Sequence, residues 1–253
     1  TWGSVPFREQ MIPADAEVIR KLDAAGAVLT AKLTMGELAW GDVWFGGMTR
    51  NPWNPEQGSS GSSAGSASAV SAGLLPFAIG TETWGSIVSP ATVCGVTGLR
   101  PTYGRVSRTG AMALSWSMDK IGVLCRNAND AAIVLAAING PDGRDQSLYN
   151  APFSYDPLLP LDKVRIGYLH QDFARDYPFH RSDSLALAQL SALGADLIPV
   201  ELPGLPVEAL SIILSAEAAA AFDELTRSNR DSLLVRQIKN AWPNDFRQSR
   251  FIP

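Results

Sequence analysis

The sequence predicts an α/β fold with a largely buried sheet, because short apolar runs alternate along the chain with segments of helical periodicity. Of its 253 residues, 46% are hydrophobic and 18% are charged, a balance typical of a globular chain with ample material for a core. No apolar stretch reaches the roughly 18 residues that span a bilayer, so the sequence does not favour a membrane protein.

The first predicted helix, residues 14–25, is amphipathic. Val18, Ile19 and Leu22 share one face of it, and a glycine follows as a stop signal. The apolar run 27–31 comes next and predicts a short buried strand.

The remaining elements follow the same alternation. Helices are predicted where small or apolar residues recur at helical spacing, at 63–73, 129–139, 182–193 and 210–225. Strands are predicted at short apolar runs, at 76–79, 96–99, 164–169 and 195–202. Residues 40–58, which are rich in Gly, Pro, Asn and Trp, predict an ordered loop.

The charge and cysteine content limit the partners and the compartment. The net charge is −4 and the basic residues are scattered, which argues against nucleic acid or an anionic membrane as the main partner. Two cysteines, Cys94 and Cys125, are too few for a disulfide framework and indicate a reducing, cytoplasmic location. Thr1 is not a start methionine and 240–253 ends without a terminating element, so we expect both ends to be incomplete.

Residues 58–86 carry the strongest functional signal. Seven serines lie between Ser59 and Ser71, and Ser86 follows in a glycine-flanked turn. No charged residue occurs from Gln57 to Thr81, so this is not a solvated linker. The pattern predicts a buried backbone shaped around a reactive hydroxyl, as in a serine hydrolase.

A serine hydroxyl needs a base to become a good nucleophile. The chain has only two histidines, His170 and His180, and both lie in its second half. Lys32 follows an apolar run, where desolvation would favour the neutral amine that a base requires. The alternative is that Lys32 is a surface residue at the end of a strand.

Element lengths predict that the turn 80–86 returns beside Ser62. A helix over 63–73 advances ~16 Å, and a five-residue strand running back covers about the same distance. Gly80 and Gly85 would let the turn aim backbone N–H groups at one point, as an oxyanion hole requires. An ordinary glycine turn remains the alternative.

Two other motif readings are weaker. Residues 61–65 match G-x-S-x-G with Ser63 as nucleophile, but no strand precedes them as a nucleophile elbow requires. A phosphate-binding loop is excluded, because no Gly-Lys-Ser/Thr follows the glycines.

These stretches resemble the amidase signature family. The matching segments are AKLTMGELA at 31–39, SGSSAGS at 60–66, GTETWGSIVSPA at 80–91 and CGVTGLRPTYGR at 94–105. Ser117-Met118-Asp119 and the helix at 129–139 also fit. The resemblance covers residues 1–145 firmly, and the remainder only in its α/β pattern.

The resemblance implies a mixed β-sheet core flanked by helices, in three α/β/α layers. It implies a single, partial domain over residues 1–253, with a signature core at about 26–145. Members of the family have a catalytic core substantially longer than this chain.

The resemblance further implies a Ser–cis-Ser–Lys triad that needs no metal or cofactor. Carried over by position, Ser86 is the acylated nucleophile, Ser62 the bridging serine and Lys32 the base. The peptide bond before Ser62 is cis in this family, which supports Ser62 over Ser63 as the bridge.

The resemblance also implies which groups face the substrate. Backbone N–H groups of the turn Thr83, Trp84, Gly85 and Ser86 hold the oxyanion. Trp84 and Gly61 are the expected substrate-binding residues.

Three departures from the family pattern bear on specificity. Glu82 replaces an aspartate, Trp84 replaces a glycine beside the oxyanion turn, and Val88 replaces a common arginine. Trp84 and Val88 both remove polarity, which favours a small-molecule amide with an apolar or aryl group.

Several alternatives stay open. The same triad would serve an ester or carbamate hydrolase, or a glutamine-dependent amidotransferase subunit that feeds ammonia to a partner. A catalytically inactive scaffold, in which Trp84 blocks the oxyanion hole, is a third. A homodimer is compatible with the sequence.

Overall fold

The computed structural model describes residues 1–252, except for the side chain of Lys163. The chain forms two compact units, residues 1–154 with 209–252, and residues 155–208. The single domain implied for residues 1–253 stays a prediction.

The helices are α1 (Glu17–Ala24), α2 (Ala64–Ser71), α3 (Val88–Cys94), α4 (Ala128–Ile138), α5 (His170–Phe173), α6 (His180–Ala192), α7 (Leu210–Ala221), α8 (Asp223–Arg227) and α9 (Trp242–Ser249). The strands are β1 (Val43–Trp44), β2 (Gly47–Met48), β3 (Arg50–Asn51), β4 (Asn54–Gly58), β5 (Phe77–Glu82), β6 (Thr97–Leu99), β7 (Lys120–Cys125), β8 (Arg165–Leu169) and β9 (Asp196–Val200). Within the described part of the chain, no helix is long and apolar enough to cross a membrane.

A three-stranded antiparallel sheet organises the larger unit, in the order β5–β7–β6. Strand β5 pairs with β7 along its whole length, and β6 pairs with the last three residues of β7. Five of the six residues of β7 are buried, because this strand has a neighbour on each side and helices on both faces.

Helices cover both faces of this sheet. On one face, Ile121, Val123 and Cys125 of β7 share a core with side chains of α1 and α4. On the other face, Leu124 shares a core with Ala67 of α2 and with residues of α3. The helix–sheet–helix layering confirms the predicted α/β fold class.

The C-terminal helices of the larger unit form a second core around aromatic rings. Phe246 stacks on Phe222 and on Trp242, with ring centroids 5.3 and 5.0 Å apart. The Trp242 Nε1–H donates to the carbonyl oxygen of Leu38 at 3.0 Å. These contacts fasten α9 to the turn Glu37–Ala39, which lies just after the segment that carries Lys32.

The smaller unit is a β–α–β arrangement. Its strands β8 and β9 pair in parallel from Arg165↔Asp196 to Leu169↔Val200, with α5 and α6 between them in sequence. The strands predicted at 164–169 and 195–202 are confirmed.

The buried strand predicted at 27–31 is wrong. Residues 27–31, all of which the structure describes, have no strand assignment, and Val28 and Leu29 are 82% and 64% exposed. An apolar run becomes a strand only where neighbouring backbone accepts its hydrogen bonds and covers its side chains. Among the described residues no strand pairs with this run, and Val28 and Leu29 stay uncovered although Ala27 packs against the core of α1 and α4.

Other elements differ from the sequence pattern. The loop predicted at 40–58 contains two short antiparallel pairs, β1–β2 and β3–β4. The helix predicted at 210–225 is interrupted at Phe222, which has a non-helical ψ of 25°. The sequence pattern does not predict strand β7 or helices α3 and α9 at all.

Candidate active site

Residues 59–63 form a turn between β4 and α2. The Gly61–Ser62 peptide bond is cis, as the resemblance implies. Ser62 is 1% exposed, and its Oγ has no hydrogen-bond partner among the described residues. Most buried hydroxyls are hydrogen-bonded, so Ser62 is a buried group with unused capacity to donate and to accept.

The segment that follows Lys32 lies along the turn 59–63, called here the serine turn. The Gly36 N–H donates to the carbonyl oxygen of Ser62 at 3.0 Å, and the Gly65 N–H donates to that of Thr34 at 2.9 Å. A Cβ at Gly65 would lie 2.5 Å from the Thr34 nitrogen, so only glycine permits the approach. Backbone contacts therefore fix residues 34–36 against the serine turn.

The turn that carries Ser86 also adjoins the serine turn. The Ser63 N–H donates to the carbonyl oxygen of Ser86 at 3.1 Å, which places Ser62 and Ser86 on neighbouring backbone. The Ser63 Oγ donates to the Thr81 carbonyl and accepts from the Thr81 N–H, both at 3.0 Å. Because this hydroxyl fastens α2 to β5, the geometry argues against Ser63 as the nucleophile.

Glu82 holds the backbone of the two residues that follow Ser86. Its carboxylate is 1% exposed, and Oε2 accepts from the N–H groups of Ile87 at 2.8 Å and Val88 at 3.0 Å. Arg100 contacts Oε1 at 3.4 Å. The Glu82 carboxylate thus accepts hydrogen bonds from the first free N–H groups of α3 and closes the turn around Ser86.

We expect Glu82→Ala to lower the free energy of unfolding by about 3 kcal/mol, because the buried N–H of Ile87 and the partly buried N–H of Val88 lose their acceptor. Urea denaturation followed by circular dichroism measures this change. Glu9→Ala is the control, since the Glu9 side chain is 92% exposed. A Glu82→Ala variant as stable as the Glu9→Ala variant would contradict the anchoring role.

Two further charged residues fix the start of the turn at residues 83–86. The Thr83 hydroxyl donates to Asp119 Oδ1 at 2.5 Å, and the Lys120 ammonium donates to the carbonyls of Thr83, at 3.2 Å, and Met118. Burial raises the pKa of Asp119, while hydrogen bonds from Thr83, Leu114 and Ser115 oppose that rise. Burial lowers the pKa of Lys120, and Arg100 lowers it further.

The sequence pattern does not reveal these supporting roles. It marks Glu82 only as a replacement for aspartate, and it gives no signal for Lys120. Asp119 has a signal, through the match of Ser117-Met118-Asp119 to the family. That signal is weak because the match does not indicate which residue Asp119 contacts. Its partner Thr83 lies 36 positions away in the sequence.

The structure does not bring the Lys32 amine to Ser62. Lys32 lies in an exposed stretch, so the prediction that a buried strand desolvates it is wrong for this conformation. Since Ser62 Oγ has no hydrogen-bond partner within residues 1–252, Lys32 Nζ is not bonded to it. The role of Lys32 as a base stays a prediction.

The two histidines lie in the smaller unit, whereas Ser62 and Ser86 lie in the larger one. Within the part of the chain that the structure describes, no group of three or more His, Cys, Asp or Glu side chains could hold a metal ion.

Apolar side chains flank the Ser86 turn. Trp84 is 46% exposed and Val88 is 43% exposed, whereas Ser86 itself is 9% exposed. Gly85, between Trp84 and Ser86, has a φ of +93°, which a residue with a side chain rarely adopts. The indole is therefore presented outward at this turn, on backbone that Gly85 allows to bend sharply.

An open groove of about 230 Å³ lies against Asp119, which also holds the Thr83 hydroxyl. Met112 and Trp116 are among its apolar lining residues. Its charged wall is an ion pair, because Arg108 donates to Asp145 at 2.9 and 3.0 Å and holds the pKa of that carboxyl below its usual range. The groove thus offers apolar surface and a guanidinium that is already paired.

Comparison with known proteins agrees with this geometry. The amidase family model matches residues 1–250. A glutamyl-tRNA(Gln) amidotransferase subunit from Syntrophobacter fumaroxidans is 41% identical over 230 residues, covering 87% of this chain and 47% of the relative. The chain thus spans about half the length of the curated relatives it matches.

Solved structures with the same fold include two kinds of amidase-family protein. The corresponding glutamyl-tRNA(Gln) amidotransferase subunit from Thermotoga maritima superposes with a TM-score of 0.81 at 33% identity, covering 91% of this chain and 54% of that one. Peptide amidase of Stenotrophomonas maltophilia gives a TM-score of 0.79 at 33% identity, covering 97% and 56%. By sequence and by structure, the chain belongs to the amidase family.

Proposed function

We propose that this protein hydrolyses a carboxamide C–N bond through an acyl-enzyme on Ser86, with Ser62 as the bridging serine and Lys32 as the base. The observation that carries this proposal is the hydrogen bond from Ser63 N–H to the Ser86 carbonyl. It puts the buried Ser62 hydroxyl, which has no hydrogen-bond partner within residues 1–252, on backbone next to the turn of Ser86. A chain of two hydroxyls is then available to move a proton.

In the proposed reaction, neutral Lys32 takes a proton from Ser62 as Ser62 takes one from Ser86. Ser86 attacks the amide carbonyl, and the proton returns through Ser62 to the leaving amine. Water then releases the acid from Ser86. Lys32 lies two residues before Thr34, whose backbone is fixed beside the serine turn. The proposal requires the long flexible side chain of Lys32 to move to Ser62 when substrate binds.

The oxyanion is assigned to backbone N–H groups of residues 83–86. Such donors act best when they are fixed before the reaction, because no free energy is then spent on reorienting them. Glu82, Asp119 and Lys120 supply that fixation through the contacts described above. The proposal needs no metal or cofactor.

The proposed substrate is a small amide with an apolar or aryl group. Trp84 and Val88 expose apolar surface at the Ser86 turn, and the groove beside Asp119 adds Met112 and Trp116. Arg108, the basic side chain that lines this groove, is already paired with Asp145 and does not offer a site for a substrate carboxylate.

A glutamine-dependent amidotransferase subunit is the second candidate. The names and 41% identity of curated relatives favour it, and such a subunit would act with partner chains. The uncharged Val88 and the paired Arg108 argue against it, because glutamine carries a carboxylate. Glutaminase activity that arises only with partner subunits would support this candidate. In either case we place the protein in the cytoplasm and leave a homodimer open.

A fluorophosphonate probe tests the acyl-serine proposal, because it phosphonylates only an activated serine. We expect one adduct in the full chain, located on Ser86 by peptide mass spectrometry. Rates on matched amides, esters and carbamates then identify the bond that the protein cleaves. Rates on substrates whose acyl group is aryl or carries a carboxylate identify the preferred acyl group. An unlabelled Ser86 would contradict the proposal and favour the inactive scaffold.

A further inference from the structure

The carboxylate of Asp42 lies against the serine turn from outside the predicted triad. Its Oδ2 accepts a hydrogen bond from the Ser60 N–H at 3.1 Å. A Cβ at Gly58 would lie 2.0 Å from the same oxygen, and a Cβ at Gly61 would lie 1.8 Å from the carbonyl oxygen of Gly41. The Gly41–Asp42 backbone and the Asp42 side chain thus form one wall of the turn, with no room for larger residues at 58 or 61.

Ser60 is the residue through which this wall acts on Ser62. It adopts a φ of +59°, a left-handed conformation uncommon for a residue with a side chain. Three contacts hold it there: its N–H to Asp42, its carbonyl to the Ser59 hydroxyl at 2.8 Å, and its hydroxyl to that of Ser89 at 2.7 Å. Replacement of Asp42 by alanine removes the hydrogen bond from the Ser60 N–H.

Arg236 supports the carboxylate from the C-terminal part of the larger unit. One of its guanidinium nitrogens lies 3.7 Å from Asp42 Oδ1, and its Cζ lies 5.0 Å from the centre of the Trp40 ring. The neighbouring Val235 N–H donates to Glu37 Oε2 at 2.8 Å, which fixes this segment in place. The side chains of Asp42 and Arg236 are 15% and 30% exposed, so the pair is largely shielded from water.

We propose that Asp42 is a positioning residue for Ser62, and that Arg236 is its counter-ion. The inference rests on the proposed function, in which Ser62 must pass a proton in both directions. One carboxylate oxygen fixes the Ser60 backbone two residues before Ser62, and the guanidinium fixes the carboxylate. An error of about 1 Å in such a proton relay costs on the order of 100-fold in rate.

The choice of leaving group separates positioning from a merely structural role. Departure of an amine requires a proton returned by Ser62, whereas a nitrophenolate leaves without one. A displaced Ser62 therefore slows an anilide more than the matching ester. Loss of folded protein lowers both rates by the same factor.

The experiment measures kcat and KM of the full chain on the p-nitroanilide and the p-nitrophenyl ester of one aryl acid. For Asp42→Ala we expect kcat on the anilide to fall ~30-fold and on the ester ~3-fold or less, with little change in KM. Asp42→Asn keeps an acceptor for the Ser60 N–H and is expected to recover much of the loss. Arg236→Met is expected to give a smaller loss in the same direction.

Asp142→Ala is the matched control. Asp142 also accepts from loop N–H groups, those of Arg144 and Asp145 at 2.9 Å, and lies 3.9 Å from an arginine. It is expected to lower the unfolding midpoint without changing the anilide-to-ester ratio. Should Asp42→Ala fail to fold, Arg236→Met provides the test, because it is expected to lower the same ratio while Asp42 is kept.

Two outcomes would count against the inference in different ways. An active wild type whose Asp42→Ala and Arg236→Met variants keep the wild-type anilide-to-ester ratio would overturn the positioning role alone. A wild type that cleaves neither compound and takes no fluorophosphonate on Ser86 would overturn the proposed function, and the inference with it.

Discussion

Ser86→Ala is expected to reduce amide hydrolysis about 10,000-fold or more, because removal of the nucleophile abolishes the acyl-enzyme route. The backbone of residues 83–86 remains held by Glu82, Asp119 and Lys120, so the variant should fold and bind substrate. Initial rates on an aryl anilide, with the unfolding midpoint measured in parallel, check this expectation. Full activity of Ser86→Ala would end the acyl-serine proposal.

Ser63→Ala is the control for Ser86→Ala, since Ser63 lies beside the bridging serine and carries the same functional group. Its hydroxyl is bonded twice to Thr81, so we expect a loss of stability of about 1–2 kcal/mol and turnover within a few-fold of wild type. Replacement of both His170 and His180 should likewise leave activity largely intact. A large loss of turnover in Ser63→Ala would instead favour the G-x-S-x-G reading.

Element lengths are enough to predict where Ser86 lies. A helix of small residues and a strand of similar reach must bring the chain back to its starting point, and α2 and β5 do so. The hydrogen bond from Ser63 N–H to the Ser86 carbonyl is the result. Because Ser62 and Ser86 lie within 25 residues of each other, the lengths of the elements between them are enough to predict that they are close.

The contacts that rigidify the site are not local, and the sequence pattern does not predict them. Asp119 meets Thr83, and Asp42 meets Ser60, across gaps of 36 and 18 positions. Strand β7, which delivers Lys120 and directly follows Asp119, contains the short apolar run 121–125, and such a run does not by itself distinguish a strand from a buried helical segment. Its conformation is set by its partners β5 and β6, which a single-sequence pattern does not contain.

The prediction for the lysine segment is wrong for the opposite reason. The apolar run 27–31 has a good strand pattern, yet Val28 and Leu29 are exposed and have no covering element among the described residues. A local pattern indicates what a segment can form, and the neighbours decide whether it forms. The role of Lys32 is therefore the part of the proposed triad that mutation tests most directly.

Lys32→Ala is expected to lower kcat for amide hydrolysis ~100- to 1,000-fold, which is the usual worth of a general base. Lys32→Arg should not restore activity, because a guanidinium keeps its proton in proteins. Lys239→Ala, at another exposed lysine, is the control and should change the rate less than about twofold. Wild-type turnover in Lys32→Ala would remove Lys32 from the triad.

Lys120 also lies near the oxyanion turn, and its contacts argue against it as a substitute base. Its ammonium donates to the carbonyl oxygens of Thr83 and Met118, so it is engaged in holding the start of the turn. Burial lowers its pKa, and two nearby carboxylates favour the charged form and oppose that fall. Lys32 is exposed, and the proposed mechanism requires its side chain to move to Ser62 when substrate covers the turn. Loss of activity in Lys32→Ala together with unchanged stability would therefore assign the base to Lys32. Lys120→Ala, in contrast, should lower both the activity and the stability.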